Sequence, residues 1–171
     1  MFPSHLSQYM TDTSRAFLLK FLAAHPVKGK VLDVGSRNIN GTVKDILTGF
    51  GLEYTGLDMI DDGSVDIVCN AHDMKDHVKE EEYDLVICFD TLEHDDKFWL
   101  TVENMRWATK KGGWMVIIAP SLHCPIHDWP SDYYRFLPSV IRLFFEDYND
   151  CYFEVYGFET DPDAIYGWGM K

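Results

Sequence analysis

The chain has 171 residues, of which 46% are hydrophobic, and it carries a formal net charge of −13. This length suits one domain with a buried core, and the composition is that of a folded globular protein rather than a disordered one. Nucleic acids and anionic membranes are bound through clustered Lys and Arg, whereas the 15 basic residues here are few and dispersed. The charge therefore disfavours both kinds of partner.

The sequence shows no pattern typical of a membrane span, a signal peptide or a paired-cysteine site. No apolar run approaches the roughly 18–20 residues of a membrane span, and the N-terminal segment lacks the basic and apolar regions of a signal peptide. The four cysteines form no CxxC pair, and Cys69 and Cys88 stand in apolar, strand-like runs. We therefore expect a cytoplasmic protein with reduced thiols and no membrane contact.

The chain alternates between predicted helices and strands. Apolar positions at helical spacing predict a first helix from about Tyr9 to His25, ended by Pro26 and Gly29. Apolar runs then predict five strands in chain order: KVLDV, EYTGLD, VDIVCN, YDLVICFD and WMVIIAP. Further helices are predicted at TVKDILTGF, at KFWLTVENMRWATK, with KKGG as its stop, and at PSVIRLFFEDY.

The last two apolar segments predict an antiparallel pair. They are CYFEVYGFE and AIYGWGM, and the turn pattern TDPD separates them. Together with the alternation upstream, they predict an α/β protein with a doubly wound, mostly parallel sheet and helices on both faces.

Ligands of such sheets bind outside the carboxyl ends of the strands, so the residues after each strand define the expected site. Asp33 closes the first strand, and the loop GSRNING follows it. Glycine and asparagine tolerate left-handed conformations and let a ligand approach the backbone. The loop is neither GxGxxG nor a Walker P-loop, and its leading acid suits a cationic ligand better than a pyrophosphate. A plain strand-to-helix turn is the alternative interpretation.

Two more acids follow the next two strands. Asp58 stands 25 positions after Asp33, where a carboxylate can bind the ribose hydroxyls of a nucleoside. Asp73, after the third strand, is placed to accept a hydrogen bond from an adenine amine. An ordinary strand-end or capping role is the alternative for Asp58. The pattern indicates a nucleoside that carries a positively charged group, as S-adenosylmethionine does.

Five segments resemble, in order, the motifs of small, type 11-like class I (Rossmann-like) S-adenosylmethionine-dependent methyltransferases. They are VLDVGSRNING, YTGLDM, CNAHDM, YDLVICFDTLEH and KKGGWMVIIAP, and they cover about Val31 to Pro120. The first departs from the usual DxGxGxG, because only Gly35 and Gly41 fill its glycine positions. The resemblance implies a seven-stranded sheet whose sixth and seventh strands are the antiparallel pair, and a first helix that covers the cofactor.

The length predicts a single domain, which we divide into three parts. We expect residues 1–28 to form the helical cover, 29–120 the cofactor-binding core, and 121–171 the substrate loop, a helix and the strand pair. The cofactor S-adenosyl-L-methionine is expected to contact residues at the ends of the first four strands. These are Asp33, Gly35, Ser36, Asn40, Gly41, Asp58, Met59, Ala71, His72, Asp73, Phe89 and Asp90.

A second concentration of polar and aromatic residues follows the fifth strand. The segment PSLHCPIHDWPSDYYRF resembles the H-x-x-P-x-D-Y-x-R-F stretch of many small methyltransferases. We expect the acceptor to bind here. The candidates for catalysis are His94, His127 and Asp132, and those for acceptor binding are His123, Tyr133 and Arg135. The alternatives are a packed loop with a structural Asp132–Arg135 salt bridge, and a structural role for His94 at a helix start.

No metal is predicted from the sequence. His123, Cys124, His127 and Asp128 are all potential ligands. However, Pro125 prevents a helical i, i+4 pair, and the spacing matches no standard zinc motif.

The expected function is methyl transfer from S-adenosylmethionine to a small polar acceptor, such as the hydroxyl or amine of a sugar or sugar-nucleotide. A non-catalytic S-adenosylmethionine-binding or interaction module, and a methyltransferase of protein or nucleic acid, are the alternatives. The short, acidic chain favours the first over the last. A homodimer in which a second subunit completes the acceptor pocket is also left open.

Overall fold

A computed structural model describes the fold of residues 5–39, 41–127 and 131–171, with side chains described from residue 12 onward. The helices are α1 (His5–Ala24), α2 (Lys44–Gly49), α3 (Phe98–Ala108) and α4 (Ile141–Phe144). The strands are β1 (Lys30–Val34), β2 (Glu53–Asp58), β3 (Ile67–Val68), β4 (Tyr83–Phe89), β5 (Thr109–Pro120), β6 (Asn149–Phe158) and β7 (Asp161–Met170). Short 3₁₀ turns occupy Ala71–Asp76, Leu92–His94 and Pro138–Val140.

The seven strands form one sheet in the order β3-β2-β1-β4-β5-β7-β6. The pairs from β3 through β5 are parallel, and β7 is antiparallel to both β5 and β6. The predicted doubly wound sheet with a terminal antiparallel pair is therefore confirmed. The chain leaves β1 in one direction towards β2 and later returns to β4 on the other side. This reversal opens a crevice at the carboxyl end of β1.

Two apolar layers enclose the sheet. On one face, α1 and α2 pack over side chains such as Val31, Leu85 and Ile87, and on the other α3 packs over Leu32 and Val86. Because the central strands are covered on both faces, their sequences are almost continuously apolar, which is why the sequence predicts them well.

Three elements differ from the sequence-based expectation. β3 is reduced to Ile67–Val68 because it is an edge strand whose residues are half solvated. The KKGG segment lies inside β5, since the chain pairs with β4 directly after α3, at Thr109 opposite Tyr83. The last predicted helix is shorter, because Phe145 leaves helical geometry with φ −120° and ψ 25°.

Helix α1 is fixed to the sheet by aromatic packing. Phe21 is fully buried, and its ring centroid lies 5.5 Å from those of both Trp114 and Trp168. About two turns earlier, Thr13 accepts a hydrogen bond of 2.9 Å from the hydroxyl of Tyr166. These contacts hold the helix against one face of the sheet. None of the described helices combines the length and apolar character needed to cross a bilayer.

Replacement of Phe21 by Ala tests this anchor. The fully buried ring leaves a cavity between α1 and the sheet, so we expect Phe21→Ala to lower the free energy of unfolding by about 3–5 kcal/mol. Urea denaturation measures the change. The matched control is Leu19→Ala on the same helix, where the side chain is 43% exposed and the expected change is within about 0.5 kcal/mol. Equal losses in the two variants would contradict this packing.

Candidate active site

A cavity of about 520 Å³ lies at the carboxyl ends of β1, β2 and β4, where the strand order reverses. This volume falls within the roughly 300–1,000 Å³ that is usual for small-ligand sites. Expected cofactor contacts and expected acceptor contacts line the same cavity. They include Asp33, Gly35, Ser36, Gly41, Asp58, Met59, Ala71, His72, Phe89, Asp90, His94, His127 and Tyr133.

Asp33 is a buried carboxyl group at the floor of the cavity. Its side chain is 6% exposed, and its Oδ2 accepts a hydrogen bond of 2.8 Å from the hydroxyl of Tyr54. Burial, opposed in part by that hydrogen bond, raises the pKa of Asp33 to about 7. A positively charged ligand nearby would favour the ionised form, so the site is suited to a cation.

The loop after β1 requires glycine at its first position. Gly35 has φ +84°, and a Cβ there would lie 2.1 Å from the hydroxyl oxygen of Thr91. The backbone N–H groups of Gly35 and Ser36 both donate to Leu57 O, which ties the loop to β2. Asn40, another expected contact, lies outside the described residues.

Asp58 is held at the end of β2 by the backbone. Its Oδ1 accepts a hydrogen bond of 2.9 Å from Ile60 N, and its Oδ2 accepts one of 3.2 Å from Arg37 N. The carboxylate therefore has a fixed orientation while it lines the cavity. Such an acceptor suits a pair of vicinal hydroxyls.

The structure separates Asp73 from the other expected acids. Asp73 is exposed in the 3₁₀ turn Ala71–Asp76, whereas Asn70, Ala71 and His72 line the cavity. The side chain of Asn70 caps the turn by accepting from His72 N at 2.9 Å. Sequence reasoning chose the acid and missed the amide, although Asn before a short turn is a recognisable capping residue.

Asp90 is the second carboxyl group with an unusual environment. It has a positive φ of 48°, and its Oδ2 accepts a hydrogen bond of 3.3 Å from the hydroxyl of Ser14 on α1. Its Oδ1 is buried and has no hydrogen-bond partner among the described residues. Burial, followed by the nearby charge of Glu93, raises the pKa of Asp90 to about 8. Ser14 also lines the cavity, so α1 covers one side of it.

His94 and His127 come together at one end of the cavity. Their ring centroids lie 5.0 Å apart, with an interplanar angle of 87°. The Nε2 atoms of His127 and His94 lie 3.5 Å and 3.6 Å from Oε1 of Glu93, which is completely buried. The neighbouring Cys124 and Glu93 raise the pKa of His127 to about 11. Glu93 was not a candidate from the sequence, because nothing in the segment LEH distinguishes it from a surface acid.

Asp132 and Arg135 bind each other instead of facing the cavity. The side chain of Asp132 is 1% exposed; it accepts from Arg135 Nη1 at 2.5 Å and from His127 N at 2.8 Å. Burial favours the neutral acid, but these hydrogen bonds lower the pKa of Asp132 to about 2. Arg135 also donates to the backbone oxygens of Cys124 and Pro125. The pair shapes the loop that carries His127.

Of the remaining residues expected to bind the acceptor, one lines the cavity and one does not. Tyr133 lines the cavity, and its N–H donates to Glu93 O at 2.7 Å. His123 is exposed and does not line the cavity, and its Nδ1 lies 2.9 Å from Oδ2 of Asp161. Asp128, considered above as a metal ligand, lies outside the described residues.

The strand order, the crevice beside β1 and the acids at the ends of β1 and β2 are those of the class I methyltransferase fold. A structure of an S-adenosylmethionine-dependent methyltransferase from Archaeoglobus fulgidus matches with a TM-score of 0.75 and 14% identity over 94% of each chain. Phosphoethanolamine N-methyltransferase 2 of Haemonchus contortus, in complex with S-adenosyl-L-methionine, matches with a TM-score of 0.70 and 14% identity, over 93% of this chain and 52% of that one. At these identities the likeness shows a shared fold.

The sequence itself places the chain in a family. The profile described as a methyltransferase domain matches residues 6–162, and the chain therefore belongs to the methyltransferase-domain family. The resemblance read from the motifs, to class I enzymes that use S-adenosylmethionine, is confirmed. A third structure, a complex of DhpI with S-adenosylhomocysteine, has a TM-score of 0.59 and 21% identity over 94% of this chain and 84% of that one. No curated protein matches the sequence.

The raised pKa of Asp33 predicts a pH dependence of stability. Since the folded pKa of about 7 exceeds the ordinary aspartic acid pKa of 3.8, this group contributes stability that is complete below pH 3.8 and is lost as the pH rises through 7. Between pH 5 and pH 7 we expect the cofactor-free protein to lose about 2 kcal/mol through Asp33. Urea denaturation at both pH values measures it.

The control for this prediction is Asp33→Asn, which keeps an oxygen acceptor for Tyr54 but does not titrate. Its stability should fall less over the same pH interval, by the contribution of Asp33. If the wild type and the variant lose the same stability, the carboxyl group of Asp33 is not buried as described.

Proposed function

We propose that this methyltransferase transfers the methyl group of S-adenosylmethionine to a hydroxyl or amine of a small polar acceptor, such as a sugar or sugar-nucleotide. The observation that carries the proposal is one continuous cavity. Asp33 and Asp58 line it at the cofactor end, and His94, His127 and Tyr133 line it at the other.

The cofactor end matches the parts of S-adenosylmethionine. Asp58, held by two backbone N–H groups, is oriented to accept from both ribose hydroxyls. Asp33 supplies negative charge beside the loop of Gly35, where the cationic methionine part would lie. Asn70 and His72 would border the adenine, in place of the Asp73 chosen from the sequence.

Methyl transfer needs little more from the protein than alignment. The acceptor atom attacks the methyl carbon, and the C–S bond electrons return to the sulfonium sulfur to give S-adenosylhomocysteine. Phe89 ends β4 and Asp90 follows it, and both line the cavity, where they can border the transferred methyl group. His94 and His127 would handle the proton that a hydroxyl or protonated amine must lose.

A small acceptor is favoured by charge and by cavity size. The net charge of −13 repels nucleic acid, and the cavity that His127 and Tyr133 help to line, of about 520 Å³, has the size usual for small ligands. Tyr133, which is 53% exposed at this end, offers a surface that a second copy of the chain could cover in a homodimer.

Calorimetry tests the proposed cofactor. Titration with S-adenosylmethionine should give one site per chain, and titration with NAD should give no heat of binding. No binding of S-adenosylmethionine would remove the proposal. Binding without methyl transfer to any of a broad panel of sugars, sugar-nucleotides and amines would instead support the non-catalytic module, whereas transfer to protein or RNA alone would support the macromolecular alternative.

The ribose contact gives a specific mutational prediction. We expect Asp58→Asn to raise the Kd for S-adenosylmethionine at least about tenfold, because a charged acceptor to two hydroxyls is lost. Asp61→Asn is the matched control, since Asp61 is an exposed acid in the following turn and does not line the cavity. Its Kd should stay within about twofold of the wild-type value. An unchanged Kd in Asp58→Asn would exclude the ribose role.

The acceptor end gives a second prediction. We expect His127→Ala to lower the turnover number by about 100-fold or more, because proton handling and acceptor orientation are lost, while the Kd for S-adenosylmethionine stays nearly constant. The control is His77→Ala, an exposed histidine outside the cavity, with unchanged turnover. If His127→Ala instead weakens cofactor binding and keeps a normal turnover number at saturating cofactor, His127 contacts the cofactor and not the acceptor.

A further inference from the structure

The carboxylate of Glu93 is buried without a hydrogen bond from the described residues. Its side chain has no exposed surface, and neither Oε1 nor Oε2 has a hydrogen-bond partner among the described residues. The backbone of the same residue is well satisfied, because its carbonyl accepts from Tyr133 N at 2.7 Å. A buried carboxylate that accepts no hydrogen bond is costly unless a positive charge lies against it.

Two imidazoles face this carboxylate, and the backbone sets their orientation. His94 Nδ1 lies 2.5 Å from Ser131 O, and His127 Nδ1 lies 3.0 Å from Pro125 O. A carbonyl oxygen only accepts, so each Nδ1 carries a hydrogen and Nε2 is the ring nitrogen that faces Glu93. An ion held there would displace any proton from Nε2 and bind the lone pair of each ring. Arg135 Nη2 is more distant from His127 Nδ1, at 3.4 Å, and donates instead to Pro125 O at 2.7 Å.

The distances between these groups are longer than a charge-assisted hydrogen bond and close to the separation of two ligands of one zinc ion. The Nε2 atoms of His127 and His94 lie 3.5 Å and 3.6 Å from Glu93 Oε1, and one ligand atom from each of the three residues lies within 4.8 Å of the others. A charge-assisted N–H···O bond would be about 2.7–2.9 Å long. Tetrahedral ligands at about 2.0–2.1 Å from a zinc ion are about 3.3–3.4 Å apart, which is close to the observed separations.

We propose that Glu93, His94 and His127 form a binding site for a divalent transition-metal ion of the zinc class. Two imidazole nitrogens and one carboxylate oxygen, with each imidazole donating its other N–H to a backbone carbonyl, are a donor set typical of catalytic zinc. Both histidines line the cavity, so the fourth position opens towards the acceptor. The sequence shows no metal motif here, because Glu93 and His94 are adjacent and the third residue, His127, comes from a loop distant along the chain.

A second cluster shows what an ordinary ion pair looks like in the same cavity. His72 Nε2 lies 2.6 Å from Asp95 Oδ1, a hydrogen-bonding distance, and Asp95 also accepts from Thr101 at 2.5 Å and from Lys97 N at 2.8 Å. That carboxylate is satisfied by protein donors. The carboxylate of Glu93 is not, which is why the proposal rests on it.

The ion would activate the acceptor, and this role rests on the proposed function. His94 and His127 would then act on the acceptor proton through the ion that they bind, not as direct proton acceptors. A hydroxyl bound at the open position loses its proton to solvent more readily, because the cation stabilises the resulting oxyanion. The oxyanion then forms a bond to the methyl carbon of S-adenosylmethionine. The C–S bond breaks, and its electron pair returns to sulfur. The products are the methyl ether and S-adenosylhomocysteine.

Cobalt(II), which substitutes for zinc and absorbs visible light strongly in tetrahedral sites, tests the site without an activity assay. The protein is stripped with a chelator and titrated with Co²⁺, followed by competition with Zn²⁺. We expect one tight site per chain, with the Co²⁺ bands removed by Zn²⁺. Glu93→Gln and His127→Ala should each weaken binding more than about 100-fold, because a ligand is lost.

The controls are His123→Ala and Cys124→Ser, which alter the same loop outside the proposed ligand set and should keep the visible bands. His127 is on an exposed loop, so His127→Ala keeps the proposal testable if Glu93→Gln fails to fold. A lack of visible bands in the wild type, or bands that survive in His127→Ala and disappear in Cys124→Ser, would overturn the assignment. Calorimetry with S-adenosylmethionine on the stripped protein separates this failure from a failure of the proposed function.

Discussion

The site depends on one constraint: a parallel sheet covered on both faces leaves only its carboxyl edge for polar groups that must stay out of bulk water. At the point where β2 and β4 diverge from β1, Asp33 is enclosed by apolar strands, with the hydroxyl of Tyr54 as its hydrogen-bond donor. Its raised pKa is the electrostatic cost of that enclosure. A ligand that brings positive charge into the crevice reverses that cost, and S-adenosylmethionine does so at its sulfonium and ammonium groups.

The same logic extends along the cavity. Asp33, Asp90 and Glu93 are all enclosed carboxyl groups. Among the described residues, Oδ1 of Asp90 and both carboxylate oxygens of Glu93 have no hydrogen-bond partner. Desolvation strengthens their attraction for a cation relative to that of a surface acid. A negative cavity of this kind favours the cationic cofactor over its neutral product, S-adenosylhomocysteine. It also explains why a second cation, placed at Glu93, is compatible with the fold.

The sequence predicts the fold well because strands that are buried on both faces of the sheet are continuous apolar runs in the sequence. Strands such as β1 and β4 are nearly uniform apolar runs, and Asp33 and Asp58 mark the ends of their strands. The rest depends on contacts between residues distant along the chain. Asp73 and Asn70 are equally plausible in the sequence, and only the 3₁₀ turn decides which of them lines the cavity. Glu93 is buried because the loop around Tyr133 folds over it.

In the loop that carries His127, a structural ion pair positions a reacting group without contacting the acceptor. The Asp132–Arg135 pair was the alternative interpretation of the segment from the sequence, and the structure contains it. Buried ion pairs contribute little net stability, but they restrict the chain to one conformation. Arg135 holds Pro125 O, and Asp132 holds His127 N, so the backbone that orients the imidazole of His127 is fixed at two points. The D-Y-x-R spacing of Asp132 and Arg135 thus fixes the backbone that orients His127 towards Glu93. Neither charged side chain has to contact the acceptor.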